Sequence, residues 1–190
     1  MNFHKLVLIG LLFQFLDFNI SSIDLIPDFV GFIIVAYAFS KVKVPYAALG
    51  MYCSVLLSIS SFMEMFQGKT QTTSFYGAVD LWLQILFIVI GLIEILQLAC
   101  IFYVSNKAVK IESSIFPTLF ISAQILMQLV FAFGIHAPFD NAGIFLIPIV
   151  FIFFFFYMYF VIFLWKRKNI EKKMYKEMQV ELDSLNNSIR

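Results

Sequence analysis

The segment Ala78-Val79-Asp80-Leu81-Trp82-Leu83-Gln84-Ile85-Leu86-Phe87-Ile88-Val89-Ile90-Gly91-Leu92-Ile93-Glu94-Ile95-Leu96-Gln97-Leu98-Ala99-Cys100-Ile101-Phe102-Tyr103-Val104 is the longest of six apolar stretches in the chain. A helix of about 20 residues, rising 1.5 Å per residue, crosses a hydrocarbon core of about 30 Å. This segment has that length, two acids (Asp80 and Glu94) and no base. The spacing predicts a helix, and the composition predicts that lipid surrounds it.

Five further segments read the same way: Leu6 to Ile20, Pro27 to Ser40, Tyr46 to Phe66, Ile115 to Ile135 and Ile144 to Trp165. The fold class predicted is all-α, an integral membrane bundle of about six transmembrane helices. Bulk composition agrees: 62% hydrophobic residues, 13% charged residues and 25 Phe in 190 residues expose too much apolar surface for a water-soluble domain. Six spans use most of the chain and leave no room for a globular domain outside the membrane. The organisation expected is a transmembrane domain over 1–165 and a basic amphipathic tail over 166–190. The first two segments are short, near 20 Å, so they either cross a thin region or form a re-entrant hairpin. Asp17 and Asn19 stand where a signal peptide would need a small-residue cleavage site, so the N-terminal run is read as a membrane segment.

Charge fixes the expected orientation. Of the 13 Lys and Arg residues, all but Lys69 fall in the N-terminus, in alternate connections (Lys41 and Lys43; Lys107 and Lys110) or in the tail. By the positive-inside rule both termini face the cytoplasm of a cell membrane. Tyr46, Tyr103 and Trp165 at the inner interface and Tyr76 and Trp82 at the outer one match aromatic belts. The net charge of +1 gives no nucleic-acid footprint. Cys53 and Cys100 fall in apolar runs and read as packing residues.

Polar residues recur at one depth. Counting from the cytoplasmic ends, Gln14 and Asp17, Ser54 and Ser58, Glu94, and Gln124 and Gln128 all lie roughly 12 to 20 Å into the membrane. Gly10, Gln14 and Asp17 share one helix face; Asp80, Gln84, Gly91 and Glu94 share another. An ionised carboxylate at the bilayer centre costs on the order of 3 kcal/mol, and no base within the spans offsets it. Asp17 and Glu94 are therefore expected to be protonated and hydrogen-bonded to Gln14, Gln97 or Gln124, or balanced by a cation. Two readings remain open: a proton or cation binding path through Asp17, Glu94, Gln14, Gln97, Gln124 and Gln128, and simple interhelical hydrogen bonding. Gly50, Ser54 and Ser58 form a small-residue series that lets another helix come close. The sixth segment, with Phe153 to Phe156 and no charge, reads as lipid-facing.

At the outer face, Asp24 is a candidate N-cap of the second helix. Asp24, Asp28, Glu64 and Asp80 form an electronegative cluster there. No metal site is expected, since His136 and Asp140 sit in a Pro- and Gly-marked loop. Ile23-Asp24-Leu25-Ile26-Pro27-Asp28-Phe29 resembles the I-D-L-I-P-D-F segment of a widespread bacterial family of unknown function. Its run into Val30-Gly31 resembles small uncharacterised multipass membrane proteins of Gram-positive bacteria. The resemblance spans only these residues and implies a bacterial membrane protein without implying an activity.

In the tail, Ile170, Met174, Met178, Leu182, Leu185 and Ile189 recur at steps of three or four behind a basic first half. That half is expected to meet anionic lipid, and the acidic second half to pair with a second copy or a membrane-protein partner. The chain carries no HExxH, nucleophile elbow, phosphate loop or Cys-His ligand set, so no catalysis and no cofactor are expected. The functions predicted are a small transporter or proton/cation pathway, or a non-enzymatic accessory, sensory or immunity-type membrane protein.

Overall fold

The computed structural model describes residues 2–15, 19–20, 23–24, 28–67, 81–109, 118–126 and 142–188. They form six helices: α1 (Phe3–Phe15), α2 (Asp28–Ser40), α3 (Ala47–Gln67), α4 (Leu81–Ala108), α5 (118–126) and α6 (Ala142–Ser188). Among the described residues the only extended backbone is a two-residue antiparallel ladder, β1 (Asn19–Ile20) with β2 (Ile23–Asp24). The protein is all-α, as the apolar periodicity requires.

The ladder sets Asp24 opposite Asn19; the Asp24 side chain, which the sequence suggested as a cap of α2, lies outside the described residues. The helix α2 starts at Asp28, whose acidic side chain in the first turn suits the positive end of the helix dipole.

From α1 to α4 successive helices run antiparallel, and close backbone contact sets the spacing of the first pair. A Cβ added to Gly10 would lie 2.6 Å from Cγ2 of Val35 and 2.7 Å from the Gly31 carbonyl oxygen; one added to Gly31 would lie 2.5 Å from the Gly10 oxygen. At this crossing α1 and α2 touch backbone to backbone. Phe3 meets Phe39 at the other end of the same pair, with ring centroids 5.5 Å apart. Residues 41–46 then reverse the chain, ending at Tyr46, whose φ of 65° is left-handed. Gly50 on α3 lies under the Phe39 ring, which occupies the space a Cβ would need. Farther along, the Ser58 hydroxyl donates to the Phe29 carbonyl at 3.2 Å.

Between α3 and α4, Tyr46 packs edge-on to Tyr103 at 4.9 Å and Gln97 meets Ser54, so this pair is antiparallel too. In contrast, α4 and α6 run in the same direction, since Phe102 lies beside Phe160 and Phe163 while Asn106, one turn on, meets Arg167. Phe120 of α5 stacks on Phe160 at 5.1 Å and touches Phe102 at 5.6 Å.

These pairings gather Phe3 and His4, the 41–46 turn, Tyr103 to Asn106 and Arg167 to Glu171 at one end of the bundle. Most of the core lies near that end: Phe3, Val7, Val35, Phe39, Ile101, Phe102, Val104, Phe120, Phe160 and Leu164 are all buried. Lys41, Lys43, Lys107 and Lys168 surround the same end, so the basic residues spread along the sequence converge in space.

Two expectations about the apolar segments change. Ile88–Ala108 is the single stretch, among the described residues, long and apolar enough to cross a bilayer by itself; Phe3–Gln14, Asp28–Ser40 and Ala47–Met63 are shorter apolar helices. The 13 residues of α1 and of α2 extend only about 20 Å. The sixth segment is not uniformly exposed either: Phe151, Phe154 and Phe155 are exposed, but Leu164 is fully buried in the core and so is Phe160, against which Phe102 of α4 and Phe120 of α5 pack. It also continues without a break into the tail, making α6 one helix of 47 residues.

Gly10→Ala and Gly31→Ala are each expected to destabilise the bundle by about 1–3 kcal/mol, because neither backbone can retreat without moving a whole helix. Leu56→Ala, on an exposed face, is the comparison. Thermal unfolding in detergent measures both, and an unchanged Tm for Gly31→Ala contradicts the close crossing.

Candidate functional site

The small-residue face of α3 and the polar face of α4 meet in the middle of the bundle. Gly50, Ser54 and Ser58 recur every four residues and so stack on one side of α3. Ser54, fully buried, donates to the Gly50 carbonyl at 2.8 Å and accepts from Nε2 of Gln97 at 2.8 Å. A hydroxyl has one donor and two acceptor positions, so Ser54 links the two helices while remaining tied to its own backbone. Gln97 is 3% exposed. An amide this far from water needs a partner, because leaving it without one costs about 1–3 kcal/mol.

Glu94 lies three residues before Gln97 and three after Gly91, on the stripe of α4 that bears both of these buried residues. Its side chain is half-buried. The arrangement offers a carboxyl group one turn from a hydrogen-bonded amide and hydroxyl, which are groups able to carry a proton or ligate a hard cation.

The other predicted residues divide. Gln14, on α1, is half-buried with its Cγ against Gly31, and its Nε2 is buried without a hydrogen-bond partner among the described residues. Gln124 is half-buried on α5. Asp28 opens α2. Gln97, expected as a partner of Asp17 or Glu94, donates from Nε2 to the Ser54 hydroxyl on α3. Asp17, Gln128 and Asp80 lie outside the described residues, as do the side chains of Asp24 and Glu64. The outer acidic cluster is therefore placed only through Asp28 and the backbones of Asp24 and Glu64. Among the described residues no group of three or more His, Cys, Asp or Glu could hold a metal ion.

A second polar cluster was not singled out from sequence. His4 is fully buried, and its Nδ1 lies 2.8 Å from Oε2 of Glu171, itself 7% exposed. One turn back on α6, Arg167 donates from Nη2 to Oδ1 of Asn106 at 2.9 Å and stacks over Phe163. Burial pulls the Arg167 pKa below its ordinary value, yet a guanidinium stays charged in proteins. Arg167 and Glu171, at i and i+4 on α6, thus fasten α4 and α1 to one helix. The signal in the sequence was Glu171 itself, the one acid within the basic run Lys166 to Lys176.

Compared with protein-family models, with curated proteins and with solved structures, the chain finds no match.

Ser54→Ala is expected to cost about 1–3 kcal/mol, because it leaves the Gln97 amide buried without its acceptor. Gln97→Leu is expected to cost less, since Ser54 keeps its bond to Gly50. A double variant no less stable than Gln97→Leu alone confirms that the pair acts as one unit in denaturant unfolding; strictly additive losses contradict it.

Proposed function

We propose that this is a multipass integral membrane protein of the cell membrane, with both termini cytoplasmic, and that its α3–α4 face forms a proton or cation pathway in which Glu94 is the ionisable group. The observation carrying the reading is the placement of Glu94 on the same stripe of α4 as Gln97, whose buried amide bonds to Ser54 of α3, within the one stretch among the described residues long and apolar enough to cross a bilayer. An acid kept inside a membrane segment is expensive and so points to use. Asp17, on the described helix's sequence continuation, is proposed as its counterpart on the α1 side.

Several features support the membrane placement. Large apolar side chains stand exposed around the bundle, among them Tyr52 at 62%, Leu92 at 56% and Phe155 at 69%. So much uncovered apolar surface is unstable in water and suits lipid. Convergence of the lysines on one end matches the side that holds positive charge in membrane proteins. We propose that α3, α4 and α6 cross, that α5 belongs to a fifth span, and that the short α1 and α2, joined by the 19–24 ladder, either cross a thinned region or enter as a re-entrant hairpin.

A second reading has its own support. Gln97 and Ser54 satisfy each other in a dry setting, which is what interhelical hydrogen bonds do in proteins that only pack. On that reading the chain is an accessory, sensory or immunity-type protein that binds another membrane protein. Proton- or cation-driven flux in liposomes separates the two: Glu94→Gln is expected to abolish flux while the protein still folds. Equal flux in the variant, or none in the parent, overturns the pathway, and stoichiometric recovery of a membrane-protein partner then supports the second reading.

A further inference from the structure

We propose that the C-terminal half of α6 is a dimerisation seam that takes the same seam of a second copy of this chain, side by side and in the same direction. Leu164, Glu171, Tyr175, Met178, Leu182 and Leu185 follow one another at steps of seven, four, three, four and three, a 3.5-residue repeat on one helix face. Within the bundle this stripe is covered: Leu164 is 0% and Glu171 7% exposed, the latter against His4. Past the start of α1 the stripe goes on, and Tyr175, Met178 and Leu182 are each more than half exposed.

Lipid cannot be what covers it. Because α6 is one unbroken helix to Ser188, Leu182 stands about 26 Å beyond Trp165, well past a headgroup layer of about 5–8 Å. The cover must be protein, and the 3.5-residue repeat is the spacing that another helix with the same repeat fills, knobs into holes. An identical tail also fits by charge. From Met174 onward the positions flanking the seam are Met174, Gln179, Glu181 and Asn186, one charge in four, so two tails in register meet little like-charge repulsion. Lys173, Lys176, Glu177 and Asp183 lie off the seam. Copies embedded in one membrane present their tails in one direction and at one height, and that confinement raises the effective concentration enough for a seam of two heptads to pair. The inference does not need Glu94 to conduct; it rests on the membrane placement proposed above, which sets the distance of the seam from lipid, the confinement of the copies and the parallel sense.

Oxidative cross-linking of single cysteines in membrane vesicles tests it, with the buried Cys53 and Cys100 of the parent chain as the baseline. Tyr175→Cys and Leu182→Cys are each expected to give a disulfide-linked dimer of twice the chain mass, several-fold more than Val180→Cys, which lies off the seam and is 69% exposed. Both same-position links form together only in a parallel pair, since the two sites are about 10 Å apart along the helix. No dimer at either seam position, Val180→Cys linking as well as the seam, links confined to mixed Tyr175→Cys and Leu182→Cys samples, or products with a protein of another mass each overturn the proposal.

Discussion

The hydrogen bond from Gln97 to Ser54 fixes the relation of the two central helices, and much else follows from it. In an apolar bundle a buried amide has few acceptors within reach, so one register between α3 and α4 is favoured over its neighbours by the cost of an unpaired polar group. That register brings Tyr46 onto Tyr103 at one end and sets the height of Glu94 relative to α3. A turn earlier, Gly50 lets Phe39 of α2 come close, and its carbonyl accepts from the Ser54 hydroxyl while the same hydroxyl oxygen accepts from Gln97. Small residues and a single amide therefore join three helices in the middle of the bundle.

At the basic end the means of attachment differ. Charged and polar side chains do the joining there: His4 to Glu171 and Arg167 to Asn106, backed by the rings of Phe3, Phe39, Phe102, Phe120 and Phe160. A buried acid is tolerable when a partner neutralises or hydrogen-bonds it, and Glu171 has one in His4. The consequence is mechanical. The N-terminal helix and the long α6 are held at the same level, so the tail projects from a rigid base and not from a hinge.

Helix identity was legible in the sequence because apolar periodicity and charge spacing are local properties. Pro27 to Ser40 and Tyr46 to Phe66 lie within a residue or two of α2 and α3, and the Gly50, Ser54 and Ser58 series faces its neighbours as its spacing implied. Partner choice was not legible. Nothing in the sequence near Gln97 says that Ser54, 43 positions away, takes its amide, and His4 and Glu171 are 167 positions apart. The last apolar segment and the tail form one helix because apolar and charged sequences both propagate a helix when no Gly or Pro intervenes, as none does around Trp165; only the side-chain character changes there. The pairing of Asn19 with Asp24 was not legible either, because single-residue preferences do not reveal a two-residue ladder.

The claim on which the functional reading stands is that α3 and α4 cross a bilayer with the 41–46 turn and the Lys107 end inside. Labelling with a membrane-impermeant maleimide tests it most directly, using Lys43→Cys, Lys69→Cys and Lys107→Cys in turn against the parent's buried thiols. The expected result is labelling of Lys69→Cys in intact cells, with Lys43→Cys and Lys107→Cys labelled only after permeabilisation. Labelling of Lys107→Cys from outside, or equal access to all three positions, would contradict it.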